Sequence, residues 1–135
     1  MNNTRLATAL HILSLLAHND GVLLTSEWIA GSIGVNPVIV RKEISVLKKA
    51  GLAESLAGKE GGTRLAKSAK KIKLTEVYLA VTQASLLGKQ NQHPNPACPV
   101  GKKINAELAA LYAEAEQKVL HFLGKKTLAE FSKVF

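Results

Sequence analysis

The sequence has very little cysteine and few aromatic residues. Cys98 is the only cysteine among 135 residues, so no disulfide can form within the chain, and the reducing cytoplasm is its expected location. Aromatic residues make up 4% of the chain, so the core must be built from Leu, Ile, Val and Ala, which a hydrophobic content of 47% supplies. No apolar run approaches the length of a membrane span, and the apolar stretch that ends at Ala17 lacks a signal-peptide cleavage pattern, so no membrane partner is expected.

Patterns typical of enzymes and of metal sites are also missing. The sequence contains no phosphate-binding loop, nucleophile elbow or zinc-protease motif. Its 10 acidic residues are dispersed, with no pair spaced for acid–base chemistry. His93 precedes Cys98 closely, but two ligands are too few for a metal ion unless a dimer shares the site. We therefore expect no catalytic residues, no metal site and no cofactor.

Acidic residues are scarcest, relative to basic ones, in the middle of the chain. Residues 36–73 hold ten Lys and Arg but three Glu, and so carry seven of the eight net positive charges. Such a local excess suits a polyanion, with nucleic acid the first partner to consider and an anionic membrane surface the second. The alternative is a solvated basic face that aids solubility.

Three helices are predicted before residue 51. The first spans 4–17, with leucines at helical spacing. The second begins at Thr25 or Ser26 and ends at Gly34, and its predicted buried residues are Trp28, Ile29 and Ile33. The third begins at Asn36-Pro37, where Asn can cap the helix and Pro loses no hydrogen bond, and continues to Ala50. Two short helices around a tight turn with glycine indicate a helix-turn-helix.

A β-hairpin is predicted directly after these helices. Strands at 52–57 and 63–67 flank Gly58-Lys59-Glu60-Gly61-Gly62, whose glycines permit the positive φ angles of a hairpin tip. A basic connector at 67–73 and a fourth helix at 74–87 follow; the predicted buried face of that helix is Leu74, Val77, Tyr78 and Val81. We expect residues 1–82 to form a winged helix-turn-helix domain, in a fold that is mainly α with a small β-hairpin.

The rest of the chain is predicted to form a loop and a long helix. Residues 83–98 form the loop region, and residues 99–135 hold a helix to about residue 123, roughly 36 Å long, and a last short helix at 127–135. The apolar residues of the long helix form a continuous stripe, which is too long for the winged helix-turn-helix domain to cover. A second copy of the same helix is therefore the simplest partner for this stripe. The alternative is that the long helix folds back onto the winged domain of its own chain. The predicted dimerisation residues are Ile104, Leu108, Leu111, Ala115, Val119 and Phe122.

The third helix has two chemically distinct faces. Val40, Ile44 and Leu47 should pack inward, and Glu43 points away from the opposite face, which therefore has four cations and no acid. Double-stranded DNA is the partner that this face predicts, because arginine suits a guanine edge, an apolar side chain suits a thymine methyl and lysines suit phosphates. The predicted contact residues are Pro37, Val38, Arg41, Lys42, Ser45, Lys48 and Lys49.

The predicted hairpin carries further cations. Lys59 and Arg64 flank its glycine-rich tip, and the enhanced negative potential of a narrow minor groove attracts such side chains. The alternative is a surface hairpin whose charges only aid solubility.

Three segments form a recognisable set: Glu27-Trp28-Ile29-Ala30, Ala50-Gly51-Leu52 and Gly58-Lys59-Glu60-Gly61-Gly62-Thr63-Arg64-Leu65-Ala66. They resemble the Rrf2 family of bacterial winged-helix regulators, which includes the iron–sulfur cluster regulator and the cysteine-metabolism repressor. The stretch from Asn95 to Ile104 is similar to the YwnA-like branch of that family. The resemblance implies a dimer held by the long helix, with the third helix in the major groove and the wing in the minor groove. Several members bind an iron–sulfur cluster through three cysteines before the long helix; a single cysteine excludes that cluster here.

Cys98 remains a candidate sensing thiol. It adjoins the start of the long helix, where backbone N–H groups and nearby lysines can lower a thiol pKa, although a buried packing role is the alternative. The sequence thus predicts a transcriptional regulator, specifically a repressor, that binds an inverted-repeat operator as a homodimer and is modulated through Cys98. The alternative function is a winged-helix protein–protein interaction module that does not bind DNA.

Overall fold

In a computed structural model, which describes residues 3–135, the chain is mainly helical with one antiparallel hairpin. The elements in chain order are α1 (Arg5–His18), α2 (Ser26–Ile33), α3 (Pro37–Lys49), β1 (Ala53–Leu56), β2 (Gly62–Leu65), a 3₁₀ turn (Ala69–Lys71), α4 (Leu74–Val81), α5 (Pro99–Gly124) and α6 (Leu128–Ser132). The chain forms two compact units: the part up to Thr82 together with Leu123–Phe135, and Gln83–Phe122. Across residues 3–135, no helix has both the length and the apolar character needed to span a bilayer.

The core of the first unit lies among α1, α3 and α4. Ile12 and Leu13 of α1 are fully buried, and Val40 and Leu47 of α3 meet them from the predicted inner face. Each such side chain contributes roughly 1.5–3 kcal/mol through removal from water. The apolar spacing of these helices therefore determines which face of α3 points inward and which one remains in solvent.

The turn between α2 and α3 is built by the residues that the sequence pattern singled out. Thr25 caps α2 by accepting a hydrogen bond from the Trp28 N–H at 3.1 Å, and Gly34 ends it with a φ of 81°. Asn36 caps α3 by accepting from the Val38 N–H at 2.9 Å. The predicted burial of Trp28 is wrong, because its side chain is 52% exposed. A two-turn helix buries one narrow face, which here belongs to Ile29 and Ala30.

The hairpin has a regular antiparallel register, with Glu54 opposite Arg64 and Ser55 opposite Thr63. Its strands are shorter than predicted, because β1 ends at Leu56 and β2 ends at Leu65. A bridge between Leu24 and Thr63 adds a third segment to the hairpin, through N–H···O bonds of 3.0 and 2.8 Å. The wing is thereby tied to the segment just before α2.

The fourth helix is shorter than the predicted span of 74–87. It ends at Val81, and Thr82 is already extended. Its predicted inner residues through Val81 are buried, whereas Leu86 and Leu87 are 43% and 49% exposed. In the described chain, the residues that follow Val81, up to Leu87, bury no apolar face. Packing therefore cannot offset the conformational entropy that would be lost by ordering more helical turns.

The carboxylate of Glu76 accepts two hydrogen bonds that stabilise the start of α4. It accepts from the Lys73 N–H and from the Lys67 Nζ, each at 2.8 Å. Desolvation raises the pKa of Glu76, but the hydrogen bonds from Lys67 and from the Lys73 backbone outweigh it, so the pKa is lowered overall. This group is therefore ionised when the domain is folded near neutral pH.

The C-terminal segment belongs to the first unit, although the sequence suggested that residues 99–135 stay together. The Leu128 N–H donates to the Ile72 carbonyl at 2.8 Å, and the Leu128 side chain is fully buried. The helix α6 is also shorter than the predicted span of 127–135, because Thr127 is its cap and Ser132 its last residue. One face of α1, together with Phe131 of α6 and the terminal Phe135, lines a mostly apolar groove of about 590 Å³.

In the second unit, the loop before α5 is held by side-chain amides. Gln90 donates to the Asn105 carbonyl at 2.9 Å, and the Asn105 side chain donates to the Asn91 carbonyl at 3.0 Å. The helix α5 has 26 residues, which corresponds to about 39 Å. It begins at Pro99, as the sequence pattern predicted.

Candidate DNA-binding surface

The outer face of α3 carries the charges expected of it. Seven residues of α3 are exposed: six of them, named here the α3 outer face, are Val38, Arg41, Lys42, Ser45, Lys48 and Lys49, and the seventh is Ile39. Pro37, also predicted to contact DNA, is half-buried at the first helical position. The face therefore presents four cations and one apolar side chain to solvent, at a spacing that a groove of nucleic acid can follow.

The single acid of α3 is kept off this face by an ion pair beneath the helix. Glu43 is 4% exposed, and its carboxylate accepts from the Arg5 Nη2 at 2.9 Å and from the Arg5 Nε at 3.3 Å. That hydrogen bond, together with the attraction of the carboxylate, raises the pKa of Arg5. The pair links the start of α1 to the middle of α3 and so helps to fix the orientation of the outer face.

Arg41 has a partner that the sequence pattern did not predict. Its Nη2 donates to the Glu27 Oε1 at 2.6 Å, across the turn from α2 to α3. Both side chains are more than half exposed, at 53% and 65%. The backbone hydrogen bond within Glu27 and the hydrogen bond from Arg41 lower the pKa of Glu27. No spacing rule relates residues on two different helices, so only the packing of α2 on α3 reveals this pair.

The two predicted cations of the wing have different surroundings. Lys59 lies at the exposed tip, next to Gly58, whose φ is 107°. Arg64 lies on β2, where its Nε donates to the Glu54 Oε1 at 2.6 Å. Glu54 is the second residue that sequence reasoning missed. Symmetry about the predicted tip would not have found it, because that tip is centred on Glu60, whereas the observed register, with Glu54 opposite Arg64, is centred on Lys59.

The predicted dimerisation stripe lies along α5. Ile104, Leu108, Ala115 and Val119 are half-buried, whereas Leu111 and Phe122 are 56% and 58% exposed. Within the described part of the chain, α5 contributes no fully buried residue. In one chain, the stripe therefore leaves large apolar side chains exposed to solvent.

Cys98 lies immediately before α5, with its side chain exposed. Backbone hydrogen bonds from the N–H groups of Gly101 and Val100 lower the pKa of the Cys98 thiol. The alternative of a buried packing residue does not describe this chain, since the thiol faces solvent. His93 is also exposed.

A helix-turn-helix whose outer helix is basic, followed by a hairpin that carries further cations, defines a winged-helix fold of the DNA-binding class. The family model Rrf2, described as an iron-dependent transcriptional regulator, matches residues 2–133. The chain therefore belongs to the Rrf2 family and is a transcriptional regulator of that type. Proteins of this family are DNA-binding regulators and not enzymes, which is the class that the sequence patterns predicted.

Individual relatives agree with this assignment. The HTH-type transcriptional regulator YwnA of Bacillus subtilis (strain 168) is 42% identical over 130 residues, which cover 96% of each chain. A solved structure described as a DNA-binding protein is 38% identical, with a TM-score of 0.75 over 94% of this chain and 97% of that one. The structure of CymR (YrzC), the global cysteine regulator of B. subtilis, is 21% identical in sequence. It matches with a TM-score of 0.70 over 100% of this chain and 98% of that one, and it shares the fold.

The family description refers to iron, and the residues of this chain do not fit an iron–sulfur cluster held by three cysteines. Cys98 is the only cysteine. Among residues 3–135 of one chain, no three side chains of the His, Cys, Asp or Glu type come together at a metal-binding distance. This chain therefore lacks the set of cysteine ligands by which the cluster-binding members hold an iron–sulfur cluster.

Proposed function

We propose that this regulator is a cytoplasmic repressor that binds an inverted-repeat operator as a homodimer, without an iron–sulfur cluster. The observation that carries the proposal is the one-sided α3 outer face, whose four cations are exposed while the acid of the same helix is buried against Arg5. Repression is the simplest action for a protein of this size, because a bound dimer occludes a promoter without an activation surface.

In this proposal, α3 occupies the major groove. Arg41 contacts a guanine edge, because the guanidinium fork matches the O6 and N7 acceptors, and Val38 contacts a thymine methyl. Lys42, Lys48 and Lys49 hold phosphates, and Ser45 adds a polar contact. Lys59 and Arg64 of the wing lie against the adjacent minor groove, where a narrow groove concentrates negative potential.

The homodimer is proposed from apolar surface that each unit exposes. The α5 stripe needs a partner of matching length, and a second copy of the same helix supplies one. In the first unit, Phe131 and Phe135, which line the groove beside α1, are 41% and 62% exposed. Because a two-fold dimer presents two equivalent α3 outer faces, its operator should be an inverted repeat.

The test is selection of bound sequences from a random DNA pool with the purified protein. An enriched inverted repeat would support the proposal, and absence of any enriched sequence at low salt would refute it. With the selected operator, Arg41→Ala should cost about 1–3 kcal/mol at one base pair of each half-site. Lys48→Ala should instead lower the affinity for all DNA sequences similarly. It should also reduce the slope of log affinity against log salt concentration by about one counterion. Wild-type binding by both variants would contradict the placement of α3.

The second candidate function is a protein–protein interaction module that does not bind DNA. It would be favoured by an α3 outer face that is apolar or acidic, and the exposed cations argue against it. The same selection separates the two functions, because an interaction module enriches no DNA sequence.

We further propose that modification of Cys98 modulates DNA binding. The thiol is exposed, its pKa is lowered, and it lies where the loop meets α5. Added bulk there would shift the start of α5, and thereby the separation of the two α3 helices in a dimer. Iodoacetamide tests this, because the thiolate displaces iodide and gains a carboxamidomethyl group. Treated wild type should lose operator affinity while treated Cys98→Ser keeps it; unchanged affinity of the alkylated wild type would refute the proposal.

A further inference from the structure

The acid that contacts Arg41 lies on the surface where phosphates are expected. Glu27 is in the first turn of α2, and its Oε1 is 2.6 Å from the Arg41 Nη2 on the α3 outer face. Its carboxylate is ionised at neutral pH, because its own backbone N–H and Arg41 lower its pKa. A fixed negative charge beside four cations costs affinity for every DNA sequence, since it repels the phosphate backbone.

Stability does not explain why this acid is placed there. Both side chains are more than half exposed, and ion pairs of that kind contribute little to folding. The cap of α2 is made by Thr25, whose hydroxyl accepts from the Trp28 N–H at 3.1 Å, so the helix does not need Glu27 as a cap. The remaining structural role is a favourable charge at the positive end of a two-turn helix, which an uncharged glutamine would forfeit at small cost.

The geometry points to a role in sequence discrimination. We propose that Glu27 is a positioning residue that holds the Arg41 guanidinium in one orientation, so that Arg41 binds a guanine edge but does not swing freely to phosphates. This inference rests on the DNA-binding function proposed above. The hydrogen bond uses one of the two N–H groups of Nη2, so four of the five guanidinium donors of Arg41 stay available, and the second N–H of Nη2 can still form a fork to a base together with Nη1 or Nε. Binding then loses less side-chain entropy at the cognate site, while the charge of Glu27 weakens binding to other sequences.

The wing supplies a matched control. Arg64 and Glu54 form a second pair, also at 2.6 Å, with side chains 44% and 49% exposed. The chemistry, the distance and the exposure are similar, but the pair lies on the hairpin and not on α3. Glu54→Gln therefore reports what the loss of a carboxylate paired with an exposed arginine does when that arginine lies on the wing and not on α3.

The experiment compares dissociation constants for the selected operator, for the same operator with each base pair of a half-site changed, and for random-sequence DNA. The variants are Glu27→Gln, Glu27→Ala, Arg41→Ala, the Glu27→Gln/Arg41→Ala double variant and Glu54→Gln. Glu27→Gln and Glu27→Ala should bind random DNA more tightly and lose discrimination about tenfold at the base pair that Arg41→Ala also affects. In the Arg41→Ala background, Glu27→Gln should cause no further loss at that base pair. Glu54→Gln should leave the preference at that base pair unchanged, because its partner Arg64 is proposed to lie in the minor groove and not to contact that base edge.

Two results would overturn the inference while leaving the proposed function intact. One is a wild-type base profile for both Glu27 variants, which would reduce Glu27 to a charge at a helix end. The other is an equal loss of discrimination in Glu54→Gln, which would make the effect a general one of surface charge. If the wild-type protein itself enriches no sequence, the proposed function fails first and the role of Glu27 fails with it.

Discussion

Arg5→Ala should destabilise the protein, because it leaves the Glu43 carboxylate under α3 without its ionic partner. The Glu43 side chain is 6% exposed, so water cannot replace the contacts from Nη2 and Nε. Hydrogen bonds to charged groups contribute about 1.5–3 kcal/mol to stability. Arg5 is itself 28% exposed, which places the expected loss in the middle of that range, at about 2 kcal/mol.

The assay is urea unfolding followed by far-UV circular dichroism at fixed protein concentration. With a denaturant slope of about 2 kcal/mol per molar, the midpoint should fall by about 1 M. Arg64→Ala is the control, because its ion pair is shorter, at 2.6 Å, but nearly half exposed. It should cost less than about 0.5 kcal/mol. Equal losses for the two variants would refute the reasoning that burial, and not distance, sets the strength of these pairs.

Three other changes test separate features of the structure. Leu111→Glu should convert the dimer into monomer by analytical ultracentrifugation, whereas Ala113→Glu, off the apolar stripe, should not; a wild-type monomer at high concentration would contradict the proposed assembly. Gly61→Ala should cost roughly 1–3 kcal/mol because its Cβ would overlap the β1 backbone, whereas Gly31→Ala, with no described atom in the way, should gain about 0.5–1 kcal/mol. Because folding lowers the pKa of Glu76, its stabilising contribution is present above the unfolded value of about 4.3 and is lost as the pH falls further, so Glu76→Gln should flatten the acid side of the stability profile.

Local sequence signals determined the helix-turn-helix. Thr25 and Asn36 accept the capping hydrogen bonds expected of them, and Gly34 adopts the left-handed conformation that ends α2. These features depend on interactions between residues at most a few positions apart, so they can be read from the chain directly. The apolar period of α3 likewise determined that Val40 and Leu47 are buried.

The tertiary structure decided features that depend on residues far apart in the chain. The exposure of Trp28 and the end of α4 at Val81 depend on how far the hydrophobic core extends, which no local pattern encodes.

The ion pairs are the clearest example of a feature that only the tertiary structure decided. Arg5 meets Glu43 across 38 positions, and Arg41 meets Glu27 across 14. From its face of the helix, sequence reasoning predicted that Arg41 reads a base. The acid that holds it comes from another helix, and the contact exists because α2 packs on α3 at one particular angle.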